Sequence, residues 1–165
     1  MNEFYDSVIA AYKGKPGALL SILEEVQRRT EHTYLNAKAL MYIAEHMSIP
    51  LSQVYSVATF YSFFNLKPQG EHTITVCRGT ACHTRGSKPL LEDVMRMLHI
   101  EQQEGDEDEN SFTTDDMRFT VRTVACFGQC ALAPVIAVDD VIYSRMTSDK
   151  LADLIKSLTA RKVKS

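Results

Sequence analysis

Apolar positions in the first third of the chain recur at helical spacing. Phe4, Val8 and Ile9 share one face of residues 2–12, which close at Gly14. Leu19, Ile22, Leu23 and Val26 repeat an i, i+3, i+4, i+7 stripe, and Pro16 is suited to the first turn of that helix. Asn36 is a good cap for a third helix with Leu40, Ile43, Ala44 and Met47 inward. Pro50 and Ser52 open a fourth, running through Val54, Val57, Ala58, Tyr61 and Phe64. Residues 1–66 are therefore expected to form an all-helical domain.

The period changes after Lys67-Pro68-Gln69-Gly70, a turn-rich linker and the expected domain boundary. A strand over 72–77 leads to a helix with Leu90, Leu91, Val94, Met95 and Leu98, begun at Gly86-Ser87 with Ser87 as its cap. A second strand, 118–124, precedes a hairpin in which 134–138 and 141–143 flank Asp139-Asp140. Thr147 caps a last helix bearing Leu151, Leu154, Ile155 and Leu158. This βαββα order over 71–165 predicts a small α/β sandwich: two parallel strands joined by a crossover, with an antiparallel hairpin added.

Two stretches depart from the pattern. From Met47 to Leu66 there is no charged residue across twenty positions. Pro50, Gln53, Asn65 and the hydroxyls of Ser48, Ser52, Ser56, Thr59 and Ser62 argue against a membrane span. Tyr55, Phe60 and Phe63 fall off the face already used by Val54 and Ala58, so they pack within their own domain or against another subunit. Burial within their own domain is the simpler reading, and a small bundle that buries one stripe per helix is what would leave that face for a subunit. Residues 101–116 hold eight acidic residues and no basic one, and read as a solvated acidic loop.

Composition narrows the classes. With 165 residues, 45% apolar, 5 Pro and 7 Gly, the chain is globular. A net charge of −3 offers no basic field for nucleic acid. The start, Met1-Asn2-Glu3-Phe4-Tyr5-Asp6, lacks the basic region and apolar run of a secretory signal, so the expectation is a cytoplasmic protein, associated with a membrane only through partner subunits. In a reducing compartment four paired cysteines point to metal rather than to disulfides.

Those cysteines form two motifs, Cys77-Arg78-Gly79-Thr80-Ala81-Cys82 and Cys126-Phe127-Gly128-Gln129-Cys130, each following a strand. Two such loops can converge on one point. Spacing alone leaves zinc and an iron–sulfur cluster open, because structural zinc also accepts cysteine pairs two to four residues apart. Gly79, Gly86 and Gly128 favour iron, since they leave backbone N–H groups free to approach sulfur. A dithiol redox pair is disfavoured because neither motif is C-x-x-C. His83 could ligate as in Rieske centres, but those need two histidines and four thiolates already suffice. Arg78 and Arg85 could damp the charge of a cluster, Phe127 could pack over it, and Asp139-Asp140 is a turn rather than a carboxylate pair. No G-x-G-x-x-G is present, so no nucleotide site is expected.

The two motifs, together with Lys15-Pro16-Gly17-Ala18-Leu19-Leu20, Ile49-Pro50-Leu51-Ser52-Gln53-Val54-Tyr55, Val57-Ala58-Thr59-Phe60-Tyr61-Ser62 and Ala131-Leu132-Ala133-Pro134-Val135, resemble the thioredoxin-like [2Fe–2S] subunits. These are the 24 kDa subunit of respiratory complex I and its equivalents in NAD(P)-linked [FeFe]-hydrogenases and formate dehydrogenases. The resemblance spans about residues 13–158 and implies a helical N-terminal domain followed by a thioredoxin-like ferredoxin domain. It implies one [2Fe–2S] cluster held by Cys77, Cys82, Cys126 and Cys130, with no catalytic residues of the chain's own. It further implies a hetero-oligomeric NADH dehydrogenase, hydrogenase or formate dehydrogenase, in which an FMN/NAD(P)-binding subunit and other iron–sulfur subunits are the partners. The sequence departs from the resemblance at Arg78, Gln129 and Ser48 and in a longer acidic insertion, none of them a ligand position. The rival class is a structural zinc-binding adaptor without redox activity.

Overall fold

The structure is a computed structural model that describes residues 2–100 and 111–161. The chain forms two compact units, Met1–Gln69 and Gly70–Ser165.

The first unit is helical: α1 (Asn2–Tyr12), α2 (Ala18–Arg29), α3 (Ala37–Met47) and α4 (Leu51–Phe60), with a short 3-10 turn at Glu31–Thr33 between α2 and α3. The stripes foreseen on α1 to α3 meet in one core around Val8, Ile9, Ile22, Leu23, Val26, Leu40, Ile43 and Val54. Asn36 caps α3 by accepting from the Ala39 N–H at 2.8 Å. Pro16 lies in the turn ahead of α2 rather than in its first turn, and Gly17 in the left-handed region (φ 72°) makes the bend. Ser48, also left-handed at φ 56°, closes α3 where a glycine is usual.

α4 is shorter than its periodicity suggests. Tyr61 is extended (φ −90°, ψ 112°), so the helix ends at Phe60, and from the loop that follows Phe64 returns to the core with Leu66 packed against it. Tyr61 is exposed rather than inward. The buried side chain of Gln27 holds this loop: its Nε2 donates to the Phe63 carbonyl (3.1 Å) and its Oε1 accepts from the Asn65 N–H (2.6 Å). The surplus face stays uncovered, with Tyr55 53%, Phe60 80% and Phe63 58% exposed.

Among the described residues the second unit is a five-stranded sheet with three α-helices. Its strands are β1 (His72–Cys77), β2 (Ser111–Thr113), β3 (Phe119–Val124), β4 (Ile136–Val138) and β5 (Val141–Tyr143), in the order β2-β3-β1-β4-β5. Its helices are α5 (Thr80–Thr84), α6 (Ser87–Met97) and α7 (Ser148–Arg161). β1 and β3 run parallel, in register from His72 opposite Phe119 to Cys77 opposite Val124, and β2, β4 and β5 pair antiparallel. Ile74, Val76, Val121 and Ile136 of the sheet meet Leu90 and Val94 of α6 and Leu151 and Ile155 of α7.

Three expectations change here. The acidic segment is not all loop: β2 lies inside 101–116, and residues 101–110 fall outside the described residues. Ser87 does not cap α6. Gly86, at φ 95°, precedes the helix, and the buried Ser87 hydroxyl has no hydrogen-bond partner among the described residues. A short helix, α5, occupies the first cysteine loop. The hairpin turns on Asp139 and Asp140, both at positive φ as a type I′ turn needs. The Asp139 carboxylate is spent locally, accepting from the Thr73 N–H (2.9 Å) and pairing with His72 Nδ1 (2.6 Å).

Candidate metal centre

Parallel pairing brings the two cysteine motifs together. β1 and β3 end side by side, and the Arg78 N–H donates to the Val124 carbonyl (2.8 Å), carrying the ladder one residue past Cys77. On its other side the Cys77 N–H donates to the Val135 carbonyl (3.2 Å). Cys77 is thereby fixed between the strand before one motif and the segment after it.

The remaining thiols follow from short local turns. α5 starts after Gly79 and carries Cys82 back toward Cys77. Gly79 has no room for a side chain: an added Cβ would stand 2.9 Å from the Ala125 carbonyl oxygen, 3.5 Å from Cys126 Cβ and 3.6 Å from Cys126 Sγ. The two motifs approach closely there because that position is a glycine. Gly128, at φ 79°, turns its N–H onto Cys126 Sγ (3.2 Å). Cys130 opens a 3-10 turn, Cys130–Leu132, with its Sγ 3.7 Å from Cys126 Sγ. The Ala133–Pro134 peptide bond that follows is cis.

All four cysteines are free thiols, with Cys77 and Cys82 buried and Cys126 and Cys130 exposed. Burial opposes ionisation of Cys77, yet the N–H groups of Gly79 and Phe127 and the thiols of Cys82 and Cys126 hold its pKa below the ordinary value. Cys82 is pushed up by burial, and then by the adjoining Cys77, against a Val135 N–H that lowers it. Cys130 is pushed up chiefly by its contact with Cys126. Such differences arise when thiols share one site, because the first to ionise makes the next harder to ionise. Ala133, Val135, Ala81, Val124 and Phe127 pack with Cys77 and Cys82 in a small apolar cluster.

This donor set suits a binuclear cluster. Among the described residues no group of three or more His, Cys, Asp or Glu side chains is placed to hold one metal ion. The thiols form two pairs instead, linked through the contact between Cys77 and Cys126. Four reduced sulfurs, backbone N–H groups aimed at three of them and a glycine-made close approach are what an iron–sulfur cluster needs. His83 is exposed on α5, and its ring forms no hydrogen bond among the described residues. Arg85 crosses between the motifs, its Nη1 donating to the Ala131 carbonyl (3.4 Å) beside Cys130. Sequence reasoning had no means of finding that crossing, or the part played by Val135, because both depend on contacts between distant segments.

Comparisons with known proteins bear on the family and the fold. The profile of the thioredoxin-like [2Fe–2S] ferredoxin family matches residues 5–159. The NADP-reducing hydrogenase subunit HndA of Solidesulfovibrio fructosivorans is 35% identical over 141 residues, covering 86% of this chain and 77% of that one. A subunit of the NADH-quinone oxidoreductase of Rickettsia conorii is 35% identical over 145 residues, covering 88% and 81%. Among solved structures, an NAD+-reducing [NiFe]-hydrogenase in the air-oxidised state superposes with a TM-score of 0.68 at 23% identity. It covers 87% of this chain but only 23% of that longer chain, and so speaks to the fold alone.

Proposed function

The chain belongs to the thioredoxin-like [2Fe–2S] ferredoxin family, and on that premise we propose that it is the electron-transfer subunit of an NAD(P)H-linked oxidoreductase complex. The observation that carries this reading is the convergence of four free thiols where β1 and β3 end. In this reading Cys77 and Cys82 hold one iron and Cys126 and Cys130 the other, since each pair sits in one loop and can span one tetrahedral ion. When bound, the cluster supplies reversible one-electron exchange. The chain's own residues set its surroundings. Gly79, Gly128, Phe127 and Val135 point N–H groups at sulfur, which stabilises the thiolates. Val135 and Phe127 keep water from the buried pair, while the exposed pair faces outward, where a donor or acceptor can approach.

The chain exchanges electrons with an FMN-carrying subunit that handles NAD(H) or NADP(H), and with further iron–sulfur subunits of the complex. Two observations support membership of such a complex. Relatives at similar identity are named as subunits of a hydrogenase and of an NADH-quinone oxidoreductase, and the aromatic face of α4 is uncovered in this chain. Among the described residues no helix is long and apolar enough to cross a membrane. The test is metal analysis with reduction by dithionite. The expected result is two irons and two labile sulfides per chain and a one-electron paramagnetic signal at low potential, about −400 mV for related plant-type centres. Stoichiometric zinc without that signal would replace this reading with the zinc adaptor.

A further inference from the structure

The segments that build the cysteine end carry cations and no carboxylate. No Asp or Glu occurs from Cys77 to Leu91, from Met117 to Val138 or from Val141 to Ser148, in a chain whose 21 acidic residues outnumber its 18 Lys and Arg. Arg78 directly follows Cys77, and Arg85 reaches the carbonyl beside Cys130. Lys88 stands in the first turn of α6. Arg145 donates its N–H to the carbonyl of Leu132, two residues past Cys130 (2.9 Å). All four residues are exposed.

Elsewhere among the described residues some cations are held by carboxylates. Arg28 and Arg29 both grip Glu25, and Arg96 grips Asp93. Among the described residues none of Arg78, Arg85, Lys88 and Arg145 pairs with a carboxylate, and Asp149, close to Arg145 in sequence, does not reach it. Nor does any of the four donate a hydrogen bond to a cysteine sulfur; the sulfurs take theirs from backbone N–H groups. A set of cations serving only to offset thiolate charge would lie against the sulfurs. All four are solvent-exposed instead, Arg85 and Arg145 bonded to the segment just after Cys130, Arg78 next to Cys77 and Lys88 at the start of α6, and Cys126, Cys130 and Leu132 are exposed as well. Solvated like charges around an opening project a field over about 10 Å at ordinary salt, and such fields steer association more than they tighten it.

We propose that this basic rim is the docking surface for the redox partner, and that the partner presents a carboxylate-rich surface around its own cofactor. The proposal rests on the electron-transfer reading above and adds the chemistry of the encounter. The partner is the FMN subunit, and the rim aligns it so that its cofactor faces the exposed Cys126–Cys130 pair.

The experiment measures association of the cluster-loaded full-length chain with the FMN subunit of the same complex, from about 0.02 M to about 0.5 M NaCl. The wild-type association rate is expected to fall by about tenfold or more across that range. Arg78→Glu combined with Arg145→Glu should lower the low-salt rate by about tenfold and flatten its salt dependence. Arg85 is left in place because its bond to Ala131 ties the motifs together. Lys156→Glu, on an exposed position of α7 toward the end where Thr159 accepts from Arg118, should change neither quantity. Visible absorbance per chain reports whether the site is intact. If the Glu variant loses it, Arg78→Gln with Arg145→Gln makes the same comparison with a smaller shift. Salt-independent association, unaltered by the rim variants, overturns the proposal and leaves the electron-transfer reading standing. Faster association of the Glu variants assigns a basic partner and overturns it too. A wild-type chain that fails to bind the FMN subunit at any salt overturns both.

Discussion

That Cys77, Cys82, Cys126 and Cys130 come together was legible from sequence because each pair follows a strand, and the structure brings all four to one end of the sheet. Replacing any one of them with serine should bleach the visible spectrum or halve the metal content, whereas His83→Ala should change neither; bleaching by His83→Ala alone would end the all-cysteine assignment. Other residues were less readable. Ser48 adopts a conformation that its side chain does not favour, and only the ends of α3 and α4 around it explain why. Tyr42 is a second case, since its phenol reaches 36 residues back to donate to Asp6 Oδ1 (2.7 Å). That bond, aided by burial and the nearby carboxylates, pushes the Tyr42 pKa up to about 12. An unfolded tyrosine titrates near 10, so the contribution is complete below about 10 and disappears as the pH climbs through the folded value. Denaturant midpoints of the first unit should decline across that window. Tyr42→Phe should start lower at neutral pH and show a shallower alkaline decline; equal slopes in the two proteins would show that the bond to Asp6 does not form in solution.

At the scale of elements, the long amphipathic helices and the two parallel strands were readable because each carries a period of its own. The short elements were not. β2 spans three residues beside an acidic run, and α5 five residues between two ligands, too few for a period to show. α4 misled in the opposite sense, since its apolar spacing runs on past the helix into a loop held by Gln27. The consequence is a cluster of outward aromatics that belongs partly to a helix and partly to that loop. Tyr55→Glu or Phe63→Glu should release the chain from its complex with the visible spectrum unchanged. The measurement is the ratio of this chain to the flavin subunit after co-purification. Wild-type ratios in both variants would place the interface elsewhere, and loss of the chromophore would show that the face serves the fold instead.

At the scale of the molecule, the core of the second unit lies between the sheet and α6 and α7, and the apolar lining of the cysteine end is a separate, smaller cluster. Fold class was therefore open to sequence reasoning, as a tally of stripes. The geometry of the site was not, because it depends on Gly79, Ala125, Ala131 and Val135 meeting across the ends of β1, β3 and β4. Small zinc modules that are folded only by their ion lack such an independent core. Chelation of the metal should accordingly bleach this chain while its far-UV circular dichroism stays near that of the loaded form. A collapse of the helical signal on chelation would show that the cysteine end holds the sheet together.

The division between a sheet that closes by itself and an outward-facing pair of thiols bears on how the protein is made. Translation and assembly of the prosthetic group need not be synchronous. If chelation leaves the circular dichroism unchanged, the polypeptide can be released finished in shape, stored empty and charged later through the side where Cys126 and Cys130 are exposed. A cell short of iron would then accumulate a ready stock of blanks rather than debris for proteolysis.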